Sequence, residues 1–240
     1  MQLFAFAESA ALCYTEKKEG GPDMRCTNWL LELLYPSKCM CCRKILDGGG
    51  AICPACADKL TYLDRPVPGV RGAARCEAVL CYEGDFREAF HRFKFGGMRR
   101  YAEDFGRWMA RCVQDRLAGS YDLITWTPVS ERRRRERGYD QAELLCRVMA
   151  RELSMKPVRT LRKLRHTQAQ SGLSGRSARL GNVLGVYEAV EPENFAGLRV
   201  LLVDDVVTTG ATLSEASRTL LSAGAGRVVC MTLAAAVGTA

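Results

Sequence analysis

The sequence predicts an α/β fold, a parallel sheet flanked by helices, with a small cysteine-rich module on its N-terminal side. Three observations lead there. Val200, Leu201, Leu202 and Val203 form a continuous apolar run, the pattern of a strand covered on both faces in a parallel sheet. A second strand candidate, Leu123 to Thr127, ends in Pro128, Val129 and Ser130 and then a run of arginines. Ahead of both lie two C-x-x-C pairs, Cys39 with Cys42 and Cys53 with Cys56, the spacing with which a turn aims two thiolates at one metal.

In chain order, residues 1–28 are a possible extension: residues 1–23 show weak periodicity and a Gly-Gly-Pro break, whereas Met24 opens directly onto an amphipathic stretch from Trp29 to Tyr35. Either the native chain starts at Met24 or the preceding residues form a loosely held extension. Residues 29–65 are expected to be a four-cysteine zinc module. Only ten residues separate its cysteine pairs, and Gly48, Gly49 and Gly50 supply the reversal between them. Cys41 is a spare thiol that could replace Cys42, but a one-residue turn suits a shared metal less well, so Cys42 is the expected ligand. Four thiolates leave no open position for water, which makes the zinc structural. Cys13, Cys26, Cys76, Cys81, Cys112, Cys146 and Cys230 read as small core or surface residues.

Residues 75–240 are the expected main domain. Ala78 to Tyr82 reads as a strand and Phe86 to Phe93 as a helix, followed by Lys94, Phe95, Gly96 and Gly97, a link placed as a hood over the site. The aromatics between His91 and Phe95 and between Arg99 and Tyr101 are either core residues or stacking surfaces for bases. After the strand Leu123 to Thr127, the residues Val129, Ser130, Arg132, Arg137 and Gly138 are candidates for holding a pyrophosphate, since arginine offers planar, bidentate recognition of phosphate. Asp140 is expected to cap a helix beginning near Gln141, with Leu144, Leu145 and Val148 on one face. The basic stretch Arg159 to His166 leads into a polar segment, Thr167 to Gly175 and including Gln170, that reads as a lid able to exclude water.

Asp204 and Asp205 stand at the carboxyl end of the Val200 to Val203 run, where ligand crevices lie in open α/β sheets. Thr208, Thr209, Gly210, Ala211 and Thr212 then form a small-residue turn whose amides can approach a phosphate at the start of the next helix. That helix is marked by Leu213, Ala216, Leu220 and Leu221, with Gly224 as its C-terminal cap. Carboxylates beside a phosphate repel it unless they face hydroxyls or a metal. A ribose 5-phosphate satisfies both demands, its diol donating to the acids and its phosphate taking the amides.

Composition narrows the classes. The net charge of +8 favours an acidic partner such as nucleic acid or a polyphosphate. No apolar stretch reaches the ~20 residues of a membrane span and no secretory leader pattern opens the chain, so no membrane insertion and a cytoplasmic location are expected. The loop also lacks the Gly-x-x-x-x-Gly-Lys pattern of a Walker A ATPase.

The segment Arg199 to Thr212 resembles the 5-phosphoribosyl 1-pyrophosphate (PRPP) motif of type I phosphoribosyltransferases. The resemblance implies that Asp204 and Asp205 contact the ribose hydroxyls in catalysis and that Asp204, Asp205, Val206, Val207 and the stretch Thr208 to Thr212 form the PRPP site. The zinc-type cysteines, Lys94 to Gly97, the block Arg137-Gly138-Tyr139-Asp140-Gln141, Thr167, Gln170, and the spacing of Arg179 and Asn182 together resemble the ComF family from about Met24 onward. That family joins an N-terminal zinc finger to a phosphoribosyltransferase domain and is associated with DNA uptake during natural transformation. The resemblance adds Gln170 and Arg179 to the lid and pyrophosphate candidates. The family block commonly reads Arg-Gly-Phe-Asn-Gln, so Tyr139 and Asp140 are departures, and Asp140 adds negative charge there. Three functions are consistent with these features: magnesium-dependent phosphoribosyl transfer to an unidentified nucleophile, single-stranded DNA binding, and PRPP sensing.

Overall fold

The computed structural model describes residues 36–46, 50–164 and 185–236. They divide into two compact units, one running to Leu60 and taking in Gly84–Phe90, the other holding Thr61–Glu83 and His91 onward. The expectations for Met24, Trp29 to Tyr35, Gly48, Gly49, His166, Thr167, Gln170, Arg179 and Asn182 lie outside the described residues.

The described elements are α1 (Pro54–Ala57), β1 (Arg75–Cys81), α2 (Gly84–Phe95), α3 (Tyr101–Arg116), β2 (Leu123–Trp126), α4 (Glu131–Arg137), α5 (Gln141–Glu152), β3 (Leu161–Lys163), β4 (Tyr187–Ala189), β5 (Arg199–Val207), α6 (Ala211–Ser222) and β6 (Arg227–Ala235). β1, β6, β5 and β2 form a parallel sheet in that order. Its apolar runs are continuous because both faces are covered. Val200 and Leu202 join Leu213, Ala216 and Leu220 of α6 in one core cluster. Strand alternation turns Leu201 and Val203 to the other face, where α5 packs on β5 and α3 packs on β1 and β6. Each fully buried Leu or Val in these layers contributes about 1.5–3 kcal/mol relative to exposure.

β5 runs four residues past the apolar run, to Val207. Asp204 pairs in register with Thr232 and Val206 with Ala234, so the two acids belong to the strand's last turn of pleat rather than to the loop after it. The arginine run folds as helix α4, because Ser130 accepts from the Arg133 amide as N-cap, Glu131 complements the positive helix end, and Gly138 closes it at φ 75°.

An edge segment fixes the height of the β3–β4 hairpin. Pro157 bridges Ile124 in parallel, Val158 N–H donates to the Ile124 carbonyl at 2.9 Å, and the Thr125 and Thr160 hydroxyls lie 2.7 Å apart. Residues 157–163 therefore climb alongside β2 toward its carboxyl end.

Candidate functional site

The four cysteines meet as their spacing predicts. Residues 37–46 fold back on themselves through the Lys38 and Ile45 bridge, with Cys39 N–H donating to the Lys44 carbonyl and Arg43 N–H to the Cys39 carbonyl. Cys53 opens α1, whose Pro54 suits the first helical position. The Met40 amide donates to Ala51 at 2.7 Å, and the Cys53 amide donates to the Cys39 sulfur at 3.3 Å, so the two turns clasp each other. The Sγ atoms of Cys39, Cys42, Cys53 and Cys56 all lie within 4.8 Å of one another. Cys42 and Cys53 Sγ are 3.7 Å apart, against about 3.8 Å for the edge of a tetrahedron with Zn–S bonds near 2.3 Å. These thiols fit structural zinc, and Cys42 rather than Cys41 completes the set. Against burial, amides from Cys53, Cys42 and Cys41 hold the Cys39 thiol down to about 6, the thiolate form that zinc takes.

At the carboxyl end of the sheet, Asp204 is buried and Asp205 partly exposed. Asp204 Oδ1 accepts from the Asp205 amide at 2.8 Å, and Asp205 Oδ1 accepts from the Val206 amide at 2.6 Å. Asp205 Oδ2 is met by the Lys94 ammonium at 2.9 Å. Burial, reinforced by the Asp205 charge, pushes Asp204 up to about 7, with the Thr127 hydroxyl, the Asp205 amide and Lys94 acting the other way.

The loop after the strand is built for close approach. Gly210 adopts φ 73°, and a side chain there would meet the Gly69 carbonyl at 3.0 Å, so glycine is required on both counts. It stands as N-cap of α6, and a shallow hollow is lined by Asp204 and the run from Val206 to Leu213. Amides at this helix start are donors for an anion. The Arg71 amide donates to Ser214 Oγ at 2.8 Å, which ties the loop before β1 to the same helix.

The neighbouring strand end carries the other candidates. β2 pairs with β5, so Thr127, Val129 and Ser130 stand beside the acids. Asp140 holds this turn with both oxygens: Oδ2 accepts from Val129 at 2.9 Å and Oδ1 caps α5 by accepting from Glu143 at 3.2 Å. Burial pushes Asp140 up to about 6 although those two amides oppose it. The added acid therefore serves the backbone rather than facing a ligand. Tyr139 donates its hydroxyl to the Phe93 carbonyl, Gln141 donates to the Lys94 carbonyl at 3.3 Å, and Arg137 donates to Gln141 at 3.0 Å. This block pins the end of α2 and so aims Lys94. Arg137 lies close enough for the Asp205 and Asp140 charges to act on it, whereas Arg132 is exposed and pairs with Glu136 along its own helix.

The aromatics divide. Phe93 and Tyr101 are core residues, while Phe95 is 58% exposed, with the Arg137 guanidinium 4.8 Å from its ring centroid and the His91 ring at the same separation. Sequence reasoning missed the Lys94–Asp205 pair and the placement of Lys163 and Tyr187, since both depend on contacts between distant segments; Lys94 within its Gly-Gly tetrad was the one local signal.

Residues 141–239 match the phosphoribosyl transferase domain family and residues 30–83 the double zinc ribbon domain family. The chain is 36% identical over 116 residues to Competence protein F of Haemophilus influenzae, a match covering 48% of this chain and 51% of that protein, about half its length. It is 29% identical over 220 residues to DNA utilization protein YhgH of Salmonella typhimurium, covering 85% of this chain and 94% of that one. Against Competence protein ComFC of Bacillus subtilis it is 28% identical over 218 residues, covering 81% and 82%. The chain thus carries a zinc ribbon match leading into a phosphoribosyl transferase domain match, and along most of its length it is similar to competence and DNA-utilization proteins.

Proposed function

We propose that this protein binds PRPP, or another ribose 5-phosphate ester, at the end of β5, and that it does so in the service of DNA uptake during natural transformation. The observation that carries the binding reading is the continuity of the Asp204–Asp205 pair with the Gly210 turn that opens α6. Asp204 and Asp205 accept the ribose hydroxyls, and the amides from Thr208 to Thr212 hold the 5-phosphate. Val129, Ser130, Arg137 and Gly138, at the adjacent strand end, face the pyrophosphate side. Magnesium, as the resemblance implies for PRPP, would spread the pyrophosphate charge when bound, with the Asp204 and Asp205 carboxylates on the diol side. With an acceptor present, such a site transfers the phosphoribosyl group by positioning and charge stabilisation; without one, it senses PRPP. The DNA role rests on the competence and DNA-utilization names of the relatives.

The test is thermal melting with PRPP and magnesium. A raised Tm that vanishes in Asp204→Asn with Asp205→Asn is expected. No shift at millimolar PRPP would remove both the transferase and the sensor.

Single-stranded DNA binding is favoured by a separate observation, the exposed Phe95 flanked by His91 and Arg137 beside the exposed arginines of α4. Affinity for an oligonucleotide should fall steeply with salt and drop on Phe95→Ala; a flat salt response eliminates this reading.

A further inference from the structure

Lys163 is a lysine for which neither the sequence motifs nor the proposed contacts have a use. It ends β3, opposite Tyr187 of β4 in register. Its Nζ donates to the Tyr187 hydroxyl at 3.4 Å and lies 5.1 Å from that ring's centroid. Tyr187 is itself buried in the core cluster, so the aromatic ring fixes where the ammonium can go. Among the described residues, Lys163 makes no ion pair with a carboxylate.

The height of this lysine follows from the edge segment. Pro157 is level with Ile124 and Thr160 bonds Thr125. Two extended segments running in parallel advance together, so residue 163 arrives beyond the carboxyl end of β2, at the level of residues 128–130. The charges that act on Lys163 agree with that placement. Among the described residues they include Arg133 and Arg137 from α4, Asp204 from β5 and Asp140 from the start of α5, and the Tyr187 hydroxyl lies against the ammonium. Tyr187 in turn feels Asp204, Asp140, Arg133 and Asp205. Burial first, then Arg133, pulls the Lys163 ammonium down to about 8 in spite of the two acids. Lys163, Arg133 and Arg137 thus gather with Asp204 and Asp140, Lys94 lying on the Asp205 side, while Asp140 spends both oxygens on backbone amides. A partly buried ammonium beside two guanidiniums gains most from a ligand that brings more than one negative charge.

We propose that Lys163, positioned by Tyr187, is a binding residue for the pyrophosphate arm of the ligand, on the side of the site opposite the 5-phosphate loop. This rests on the PRPP reading and adds to it a residue from the β3–β4 hairpin. Lysine acts here as a point charge, and arginine at the same place would preserve the interaction.

The experiment is calorimetric titration of wild type, Lys163→Met and Lys163→Arg with three probes: PRPP with magnesium, inorganic pyrophosphate with magnesium, and ribose 5-phosphate. Lys163→Met is expected to weaken PRPP and pyrophosphate at least tenfold, to leave ribose 5-phosphate within twofold of wild type, and to be rescued largely by Lys163→Arg. Retained ribose 5-phosphate binding shows that the fold and loop are intact. Equal PRPP affinity in wild type and Lys163→Met overturns the Lys163 assignment alone, as does an equal loss of all three probes, which would mark a structural role. Wild type binding none of the probes overturns the PRPP reading and this one with it. As a measurement independent of folding of the variants, the affinity of wild type for pyrophosphate should fall between pH 7 and 9; a flat profile counts against Lys163.

Discussion

Asp204 carries a conflict that one substitution exposes. Its ordinary pKa is near 4, and burial with the Asp205 charge raises it to about 7 in the folded chain. Between those values the folded state holds a proton that the unfolded state has released, so ionising Asp204 lowers stability progressively as pH rises from about 4 to about 7. Asp204→Asn should remove the cost. The unliganded variant is expected to be more stable than wild type at pH 8 by up to about 4 kcal/mol, about three pKa units at about 1.4 kcal/mol each, and close to it at pH 4.5. Its PRPP-dependent shift should be gone. Denaturant titrations at the two pH values check this, and a variant less stable than wild type at pH 8 refutes it. Asp140 shows the opposite use of a buried acid. Both of its oxygens accept backbone amides, so Asp140→Asn, with one acceptor atom, should lose about 1 kcal/mol and loosen the Val129–Ser130 turn.

At the scale of elements, α3 and α5 pack closely at Gly106. A side chain at Gly106 would put its Cβ 2.5 Å from Cβ of Val148 and 3.3 Å from the Leu145 carbonyl. On propensity alone, Gly106→Ala should stabilise a helix interior by about 1 kcal/mol. Crowding of the layer behind β5 costs about 1–3 kcal/mol and wins here, so a Tm several degrees lower is expected; an unchanged or higher Tm would show that the helices separate freely. Which elements form was largely legible: the apolar runs became β2 and β5, Asp140 capped α5, and Gly224 followed α6 with φ 102°. Helix α4 was not, because a run of arginines gives no apolar periodicity and only Ser130 and Gly138 mark its ends. Of the site, the acids, the small-residue turn and the zinc thiols could be read from spacing, since each is local in the chain. Lys94 against Asp205 and Lys163 against Tyr187 span 111 and 24 residues by their numbers, and only the packing of sheet and hairpin brings them together.

For the whole molecule, the two compact units are held by different physics. The second has a sheet buried on both faces and needs no metal to close its core. The cysteine segment of the first, residues 36–60, has few large buried side chains among its described residues, Met40 and Ile52 being the fully buried ones. A segment of that size cannot offset its chain entropy by apolar burial alone, so its folding free energy must come largely from four thiolates closing on one ion. Purified protein should therefore carry one zinc per chain at the Cys39, Cys42, Cys53 and Cys56 cluster, read by elemental analysis. Cys42→Ser together with Cys53→Ser should abolish that zinc, whereas Cys41→Ser should leave it. Stripping the metal with a strong chelator should make residues 36–60 cleavable by protease while the PRPP-induced rise in Tm, which belongs to the sheet unit, persists. If the stripped protein resists cleavage as well as the loaded one, zinc is a passenger at that cluster and the first unit owes its fold to something else.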